Sequence, residues 1–223
     1  MSKNKKPYIF LVMGPQGSGK GTQAELLAQK FKLEHFDTGN MLRQMAKRKS
    51  KRAKEIKDYM EKGKLLPWQW IIEIAVKQLK KAPFNKGFVY DGLSRRLPEA
   101  KAFLKMIKQS GREITAVFLI DIPAQETIKR LSERRICSRG HIFRVGLHLK
   151  KNEKKCPQCG SELFQRADDK PVAIRKRLQD YKEKTIPSLN YFKQAGLLIK
   201  INGQQPIKKV FSDIQREIKK LAK

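Results

Sequence analysis

The sequence predicts an α/β fold, a doubly wound, five-stranded parallel sheet with helices on both faces. Three observations carry the prediction. The apolar run YIFLVMG, residues 8–14, breaks into a glycine-rich turn and re-emerges near residue 20 as a polar helix start. Two later runs, GFVYDG at 87–92 and TAVFLID at 115–121, are apolar at consecutive positions, as in strands covered on both faces. Helical periods separate these runs, and strand–helix alternation builds a parallel sheet through crossover connections.

In chain order, Gly14, Gly17 and Gly19 lack a Cβ, so the backbone can turn through positive φ and aim several N–H groups at one anion. Lys20 adds a point charge in the first helical turn, where the helix dipole already favours negative charge. From Gly14 to Lys20 the spacing is G-x-x-x-x-G-K, the P-loop template for a nucleoside triphosphate, in its required strand-to-helix context. The template continues with Ser or Thr, whereas this chain has Gly21 and places a hydroxyl one residue later, at Thr22. A helix follows to Phe31, with Leu26, Leu27 and Phe31 at helical spacing. In HFDTGNMLR, residues 35–43, a second strand ends at Asp37, Thr38 is expected to cap a helix, and Arg43 faces back toward the loop.

Residues 44–66 read as a basic, surface helical segment with little core of its own, ending at Gly63. Pro67 bends the chain, and apolar positions 71, 72, 74, 75, 76 and 79 give a buried helix that stops near Pro83. The strand at 87–92 puts Asp91 at the carboxyl edge of the sheet, where ligands bind in such folds. A helix from Pro98 to Ser110, the strand 115–121, and a helix opened by Pro123 and running through Arg130 to Arg134 and Arg135 follow. Periodicity fails from 136 to 165, which reads as a small β-rich insertion too poor in apolar residues to hold itself unaided. Helix resumes from Pro171 to Phe192, GLLIKING supplies the last strand, and Ile207 to Leu221 the last helix.

Lys and Arg number 51 against 21 Asp and Glu, a formal charge of +30. That excess attracts polyanions and makes nonspecific nucleic-acid association one reading of the chain. The basic residues are spread over many segments, with no aromatic stacking motif or recognition helix, so a nucleic-acid protein on this fold is the minor alternative. No stretch approaches the roughly 20 apolar residues that span a bilayer. The basic MSKNKK and its short apolar run lead into the glycine loop rather than a cleavage site. The expectation is a cytoplasmic monomer with no membrane partner. Three cysteines, two of them in CPQCG, make no disulfide framework and point to metal or redox chemistry in a reducing compartment, with no thioredoxin-like context to favour redox.

The motifs GPQGSGKGTQ, HFDTGNMLR, GKLLP, GFVYDGLSRR, ERRIC, QRADD with RKRLQDY, and ING occur in order. In that set the chain resembles the adenylate kinase family, in its long form with a lid, from about Ile9 to Phe211. The resemblance implies in-line transfer of the terminal phosphoryl group of ATP to AMP, giving two ADP, with Mg²⁺. The nucleophile is then an anionic phosphate oxygen, so alignment and charge neutralisation replace a general base. The resemblance also implies a core formed by 1–37, 67–132 and 170–223, a monophosphate-binding insertion at 38–66 and a lid at 133–169.

By position, Gly17, Ser18, Gly19, Lys20, Gly21 and Thr22 hold the donor, with Lys20 on the β- and γ-phosphates. Asp91 orients Mg²⁺ through its water shell. Arg43 and Arg95 clamp the monophosphate, Arg166 and Arg177 converge on the moving phosphoryl group, and Asp168 and Asp169 hold arginines in place. Arg134 matches a catalytic arginine at the lid hinge, and Arg130 one that stacks on the donor adenine. Thr38, Gly39 and Gly92 line the monophosphate pocket, with Lys64, Leu65 and Leu66 supporting ribose and base.

Several positions depart from the family's usual pattern. Asn40 stands where Asp is common, Ser94 and Arg96 replace the Pro and Thr that bracket Arg95, and Glu133 replaces a hinge Gly, which should stiffen the lid. Glu99 stands where Gln is usual. An ionised Glu only accepts hydrogen bonds, which suits the two donors of guanine, so another monophosphate, GMP first, is the alternative acceptor. The competing reading pairs Glu99 with Arg95 or Arg96 one turn away. In the insertion, Cys156 and Cys159 form half of a zinc knuckle, and Cys137 and His141 complete a Cys₃His set, with His148 or water as other choices for the fourth ligand. A structural Zn²⁺ there would stabilise a lid too small to fold alone.

Overall fold

A computed structural model describes residues 6–221. Most of the MSKNKK run, and the outermost residues of the core segments that begin at 1 and end at 223, lie outside the described residues. The five parallel strands are β1 (Ile9–Met13), β2 (Glu34–Asp37), β3 (Phe88–Asp91), β4 (Ala116–Asp121) and, last in the chain, β8 (Leu198–Asn202), in the order β2-β3-β1-β4-β8. The central strand β1 is buried along its whole length, and its period of two divides the core. Ile9, Leu11 and Met13 pack on one face with Tyr90, Phe103 and Leu189. Phe10 and Val12 pack on the other with Ala24, Leu27, Phe118 and Ile214. The fold is the doubly wound sheet that the apolar runs predict.

The helices are α1 (Lys20–Phe31), α2 (Thr38–Ala46), α3 (Lys51–Glu61), α4 (Trp68–Lys81), α5 (Leu97–Gln109), α6 (Ala124–Glu133), α7 (Pro171–Asp180), α8 (Ile186–Gln194) and α9 (Ile207–Leu221). Three local expectations need correction. Thr38 does not cap α2; it is the first helical residue, and the Asp37 side chain accepts from the N–H of Asn40 at 2.8 Å. The segment 44–66 is not one surface helix, because Ser50 caps a separate α3 by accepting from the N–H of Ala53. It also contributes to the main core, where Ile56 is 1% exposed. The helix expected over 171–192 contains a π-turn, Tyr181–Thr185, between α7 and α8.

Residues 134–164 carry a three-stranded antiparallel sheet of β5 (Arg134–Cys137), β6 (Ile142–Arg144) and β7 (Leu163–Phe164), ordered β6-β5-β7. Its own core is small, formed by Cys137, Phe143, Leu149 and Cys156. A short 3₁₀ turn, Ala167–Asp169, leads back into α7.

Candidate active site at the carboxyl edge of the sheet

The loop after β1 wraps the carboxyl edge of the sheet because glycine permits two close approaches. A Cβ on Gly14, at φ +147°, would lie 2.4 Å from the carbonyl oxygen of Ile120. One on Gly21 would lie 3.1 Å from Oδ2 of Asp91, so the position where the template has Ser or Thr is here pressed against the end of β3. Lys20 is half-buried, and its ammonium lies 3.4 Å from the Pro15 carbonyl. Burial lowers its pKa to about 8, against the pull of Asp91, and Arg95, Arg177 and Arg134 lower it further.

Asp91 is paired in register with Asp37 on β2, so two carboxylates stand at neighbouring strand ends. Burial raises the Asp91 carboxyl, Lys20 opposes that, and Asp37 adds to it. Its Oδ1 is buried with no hydrogen-bond partner among the described residues. An orphaned, buried carboxylate oxygen beside the phosphate loop fits a group that holds a hydrated divalent cation, as Mg²⁺ requires.

The structure gathers most of the predicted acceptor-side residues around one cavity. Lys20, Thr38, Gly39, Arg43, Lys64, Leu65, Leu66, Gly92, Arg95, Glu99 and Arg177 all line it. Arg95 Nε donates to the Gly92 carbonyl at 2.9 Å, and a Cβ on Gly92 would meet the Arg95 guanidinium at 2.9 Å. Arg177 is held by Asp168 at 2.6 Å, and Arg134 by a two-point contact with the fully buried carboxylate of Asp169. Arg166 is outside the cavity lining, yet it is close enough for burial first, then Arg134 and Arg43, to bring its pKa down to about 10. Burial brings Arg177 to about 10 as well, with Asp168 opposing. Crowding of cations that are each partly desolvated is the arrangement expected where an anion of several charges binds.

Arg130 donates to Glu126 at 2.6 Å, to the Gly17 carbonyl at 3.3 Å and to the Gly203 carbonyl at 3.0 Å. It thereby ties the phosphate loop to the turn after β8. Ser18 is buried in that loop, and Gly17, Gly19 and Thr22 complete the strand-to-helix turn with Lys20 and Gly21. Sequence reasoning missed Asp180, Tyr181 and Thr185, which also line the cavity. A π-turn has no distinct periodic signature, so nothing in the pattern turned this face of the helix toward the site. It also missed the tether from Arg96 Nη2 to the Leu65 carbonyl, 2.9 Å, which links α5 to the segment after α3.

Glu99 requires a correction. It pairs neither with Arg95 nor with Arg96 through its side chain; its two oxygens accept from the backbone N–H groups of Ser94, at 2.8 Å, and Arg95, at 3.2 Å. The residue is 4% exposed, and burial raises its pKa to about 7 against those two hydrogen bonds and the nearby arginines. A carboxyl engaged in that way is not the unencumbered double acceptor on which the preference for guanine was built.

In the small sheet, ligand atoms of Cys137, His141, Cys156 and Cys159 all lie within 4.8 Å of one another. The Cys137–Cys159 sulfur separation is 3.7 Å and the Cys156 sulfur to His141 Nδ1 distance is 3.4 Å. Zinc–sulfur bonds of about 2.3 Å in a tetrahedron require sulfurs about 3.8 Å apart, so the cage has the dimensions of a Cys₃His site. The Ser161 side chain, hydrogen-bonded to the Cys159 sulfur, is the main cause of that thiol falling to about 7. His148 is not among the four residues of the cage; its Nδ1 accepts from the N–H of Arg144 at 3.2 Å.

Residues 12–197 match the family model described as adenylate kinase. A protein named adenylate kinase from Methanothrix thermoacetophila is 39% identical over 95% of this chain and 98% of its own length. Those from Methanocella arvoryzae and Caldicellulosiruptor bescii, also named adenylate kinase, are 39% and 38% identical over 96% and 95% of this chain, and 99% and 97% of their own lengths. The chain belongs to the adenylate kinase family. The names of these relatives do not favour the GMP alternative. Among the described residues, no helix is long and apolar enough to cross a membrane.

Proposed function

We propose that this chain catalyses the reversible transfer of the terminal phosphoryl group of ATP to AMP, giving two ADP, with the division of labour that the site's geometry supports best. The observation that carries the reading is the convergence of Lys20, Asp91, Arg95 and Arg177, from four separate segments, on the carboxyl edge of the sheet. The N–H groups of Gly17 to Thr22 and the Lys20 ammonium hold the donor phosphates, and Arg130 borders the donor side through its contact with the phosphate loop. Arg43 and Arg95 hold the monophosphate, with Thr38, Gly39, Gly92 and the 64–66 segment forming its pocket. Arg134, Arg166 and Arg177 neutralise charge on the moving group, held in place by Asp168 and Asp169.

No residue needs to take a proton, since the attacking oxygen is already anionic and in-line alignment supplies the rate. When bound, Mg²⁺ neutralises charge on the donor phosphates, and Asp91 is the residue to hold it through water. Cys137, His141, Cys156 and Cys159 fit structural Zn²⁺, whose binding free energy would fold a sheet with so small a core. The insertion at 38–66 and the lid at 133–169 close over the core as separate bodies in this reading.

Turnover of ATP with each monophosphate under one condition tests the assignment. AMP is expected to be the best acceptor, and faster turnover with GMP overturns it. Lys20→Ala should lower kcat/KM for ATP by about 100-fold or more, the scale of losing a charged, desolvated phosphate contact, and near-normal turnover contradicts the mechanism.

A further inference from the structure

The peptide that carries Arg95 is held at every polar backbone atom by three side chains from outside it. The N–H groups of Ser94 and Arg95 donate to the two oxygens of Glu99. The Ser94 carbonyl accepts from the Ser188 hydroxyl at 2.6 Å, and the Arg95 carbonyl from the Thr185 hydroxyl at 3.1 Å. Ser188 is 0% exposed and Thr185 5%, so neither hydroxyl has water to compete. The held backbone is not one that serine favours: Ser94 has φ +63°, in the left-handed region. Such a conformation persists only where its surroundings over-determine it, and four hydrogen bonds on two residues do so.

We propose that Thr185 and Ser188, acting with Glu99, are positioning residues that fix Arg95 against the monophosphate, and that the π-turn Tyr181–Thr185 brings Thr185 into line with Arg177 on the same helix. The placement of Thr185 supports the second part. Thr185 and Arg177 line the same cavity although eight positions apart. In a regular α-helix of 3.6 residues per turn, such a pair is offset by about 80° around the axis. One residue absorbed by an i→i+5 turn reduces the offset to about 20°. A single helix then sets Arg177 directly and Arg95 through the clamp, so the spacing of the two cations is fixed by one rigid element. The inference rests on the assignment of Arg95 to the monophosphate and adds residues that act through the Ser94–Arg95 backbone.

The test is steady-state kinetics of Thr185→Val, Ser188→Ala and the double variant, varying AMP and ATP separately, with thermal stability measured alongside. Each hydroxyl removed loses one neutral hydrogen bond and leaves a buried carbonyl unmatched, so the double variant should lose about tenfold or more in kcat/KM for AMP. The KM for ATP should stay within about twofold, Thr185→Ser should behave as the parent chain, and in an Arg95→Ala background the same substitutions should cost nothing further. A fall in melting temperature with unchanged kcat/KM for AMP overturns the proposal, as does an equal cost in the Arg95→Ala background. If Arg95→Ala itself leaves the KM for AMP unchanged, the Arg95 assignment fails and the clamp with it. If Arg95→Ala raises that KM and the hydroxyl variants do not, the clamp alone fails. Ser188→Ala, the smallest change, provides the same reading should the double variant not fold.

Discussion

Replacing Glu99 by glutamine should flatten the pH dependence of stability in a defined window. Burial moves the Glu99 carboxyl from an ordinary value of 4.5 to about 7 in the folded chain. Between those values the folded state keeps a proton that the unfolded state has released, so stability falls as pH rises through the window and levels off above 7. Integrated from pH 5 to pH 8, the loss from this one group is about 2.5 kcal/mol. For a chain of this size that is a drop of about 5–10 °C in melting temperature. The amide that replaces the carboxyl in the variant cannot titrate. Its carbonyl accepts from one of the two N–H groups, much as the protonated carboxyl of the parent does, so the variant should lie close to the parent at pH 5 and should lose less on going to pH 8. The assay is thermal unfolding of parent and Glu99→Gln chains, without nucleotide, at half-unit steps from pH 5 to pH 8. Every other titrating group is common to both, so the difference between the curves isolates Glu99. Parallel curves would refute the claim that this carboxyl is neutral in the folded site at acidic pH.

Lys20 titrates higher: with its pKa lowered to about 8, the cation is lost as pH rises, so kcat/KM for MgATP should fall up to about tenfold per pH unit above pH 8, and a flat profile to pH 9.5 refutes it. Elemental analysis should find one zinc per chain, lost with Cys156→Ser together with thermal stability; absence of zinc after mild purification refutes the cage as a metal site. Glu133 bonds Arg144 at 2.7 Å across the start of the small sheet, and this half-buried pair is worth about 1 kcal/mol. If lid opening limits turnover, Glu133→Gly should raise kcat by up to about fivefold, and an unchanged or lower kcat with normal stability counts against a stiffened hinge. Ser94→Pro and Glu99→Gln should be non-additive in melting temperature, the double variant recovering at least half of what Ser94→Pro loses, and simple additivity refutes their coupling.

The sheet was legible because it depends on burial alone: consecutive apolar residues at 9–13, 88–90 and 116–120 admit few arrangements other than strands covered on both faces. The phosphate loop was legible because glycine spacing and a lysine encode backbone shape and charge together. What escaped were contacts made between distant segments through side chains of ordinary type. Thr185 and Ser188 carry no signal of their own in a helical stretch, and only the tertiary fold brings them to Ser94 and Arg95, about 90 residues away. Arg96 stands out in the sequence as a departure and as a candidate partner of Glu99, yet its guanidinium is committed to the Leu65 carbonyl. Capping misled for a similar reason: Asp37 and Thr38 are both good caps, and the choice between them lies in where β2 ends, a boundary that propensity does not resolve.

The departures around Arg95 become intelligible as one change instead of two. A proline in place of Ser94, the family's usual residue, carries no N–H and holds φ near −65°. Ser94 has φ +63° and donates its N–H to Glu99 at 2.8 Å. Proline would therefore remove both the angle and the donor, leaving one Glu99 oxygen buried without its partner. A glutamine in place of Glu99, conversely, offers one carbonyl to two N–H groups and leaves the Ser94 or the Arg95 donor unmet. A serine that can turn left-handed and a carboxyl that can accept twice are each costly beside the other's usual partner, and together they close the loop that presents Arg95. The glutamate is thus tied to the backbone five residues earlier, and both its oxygens are engaged there.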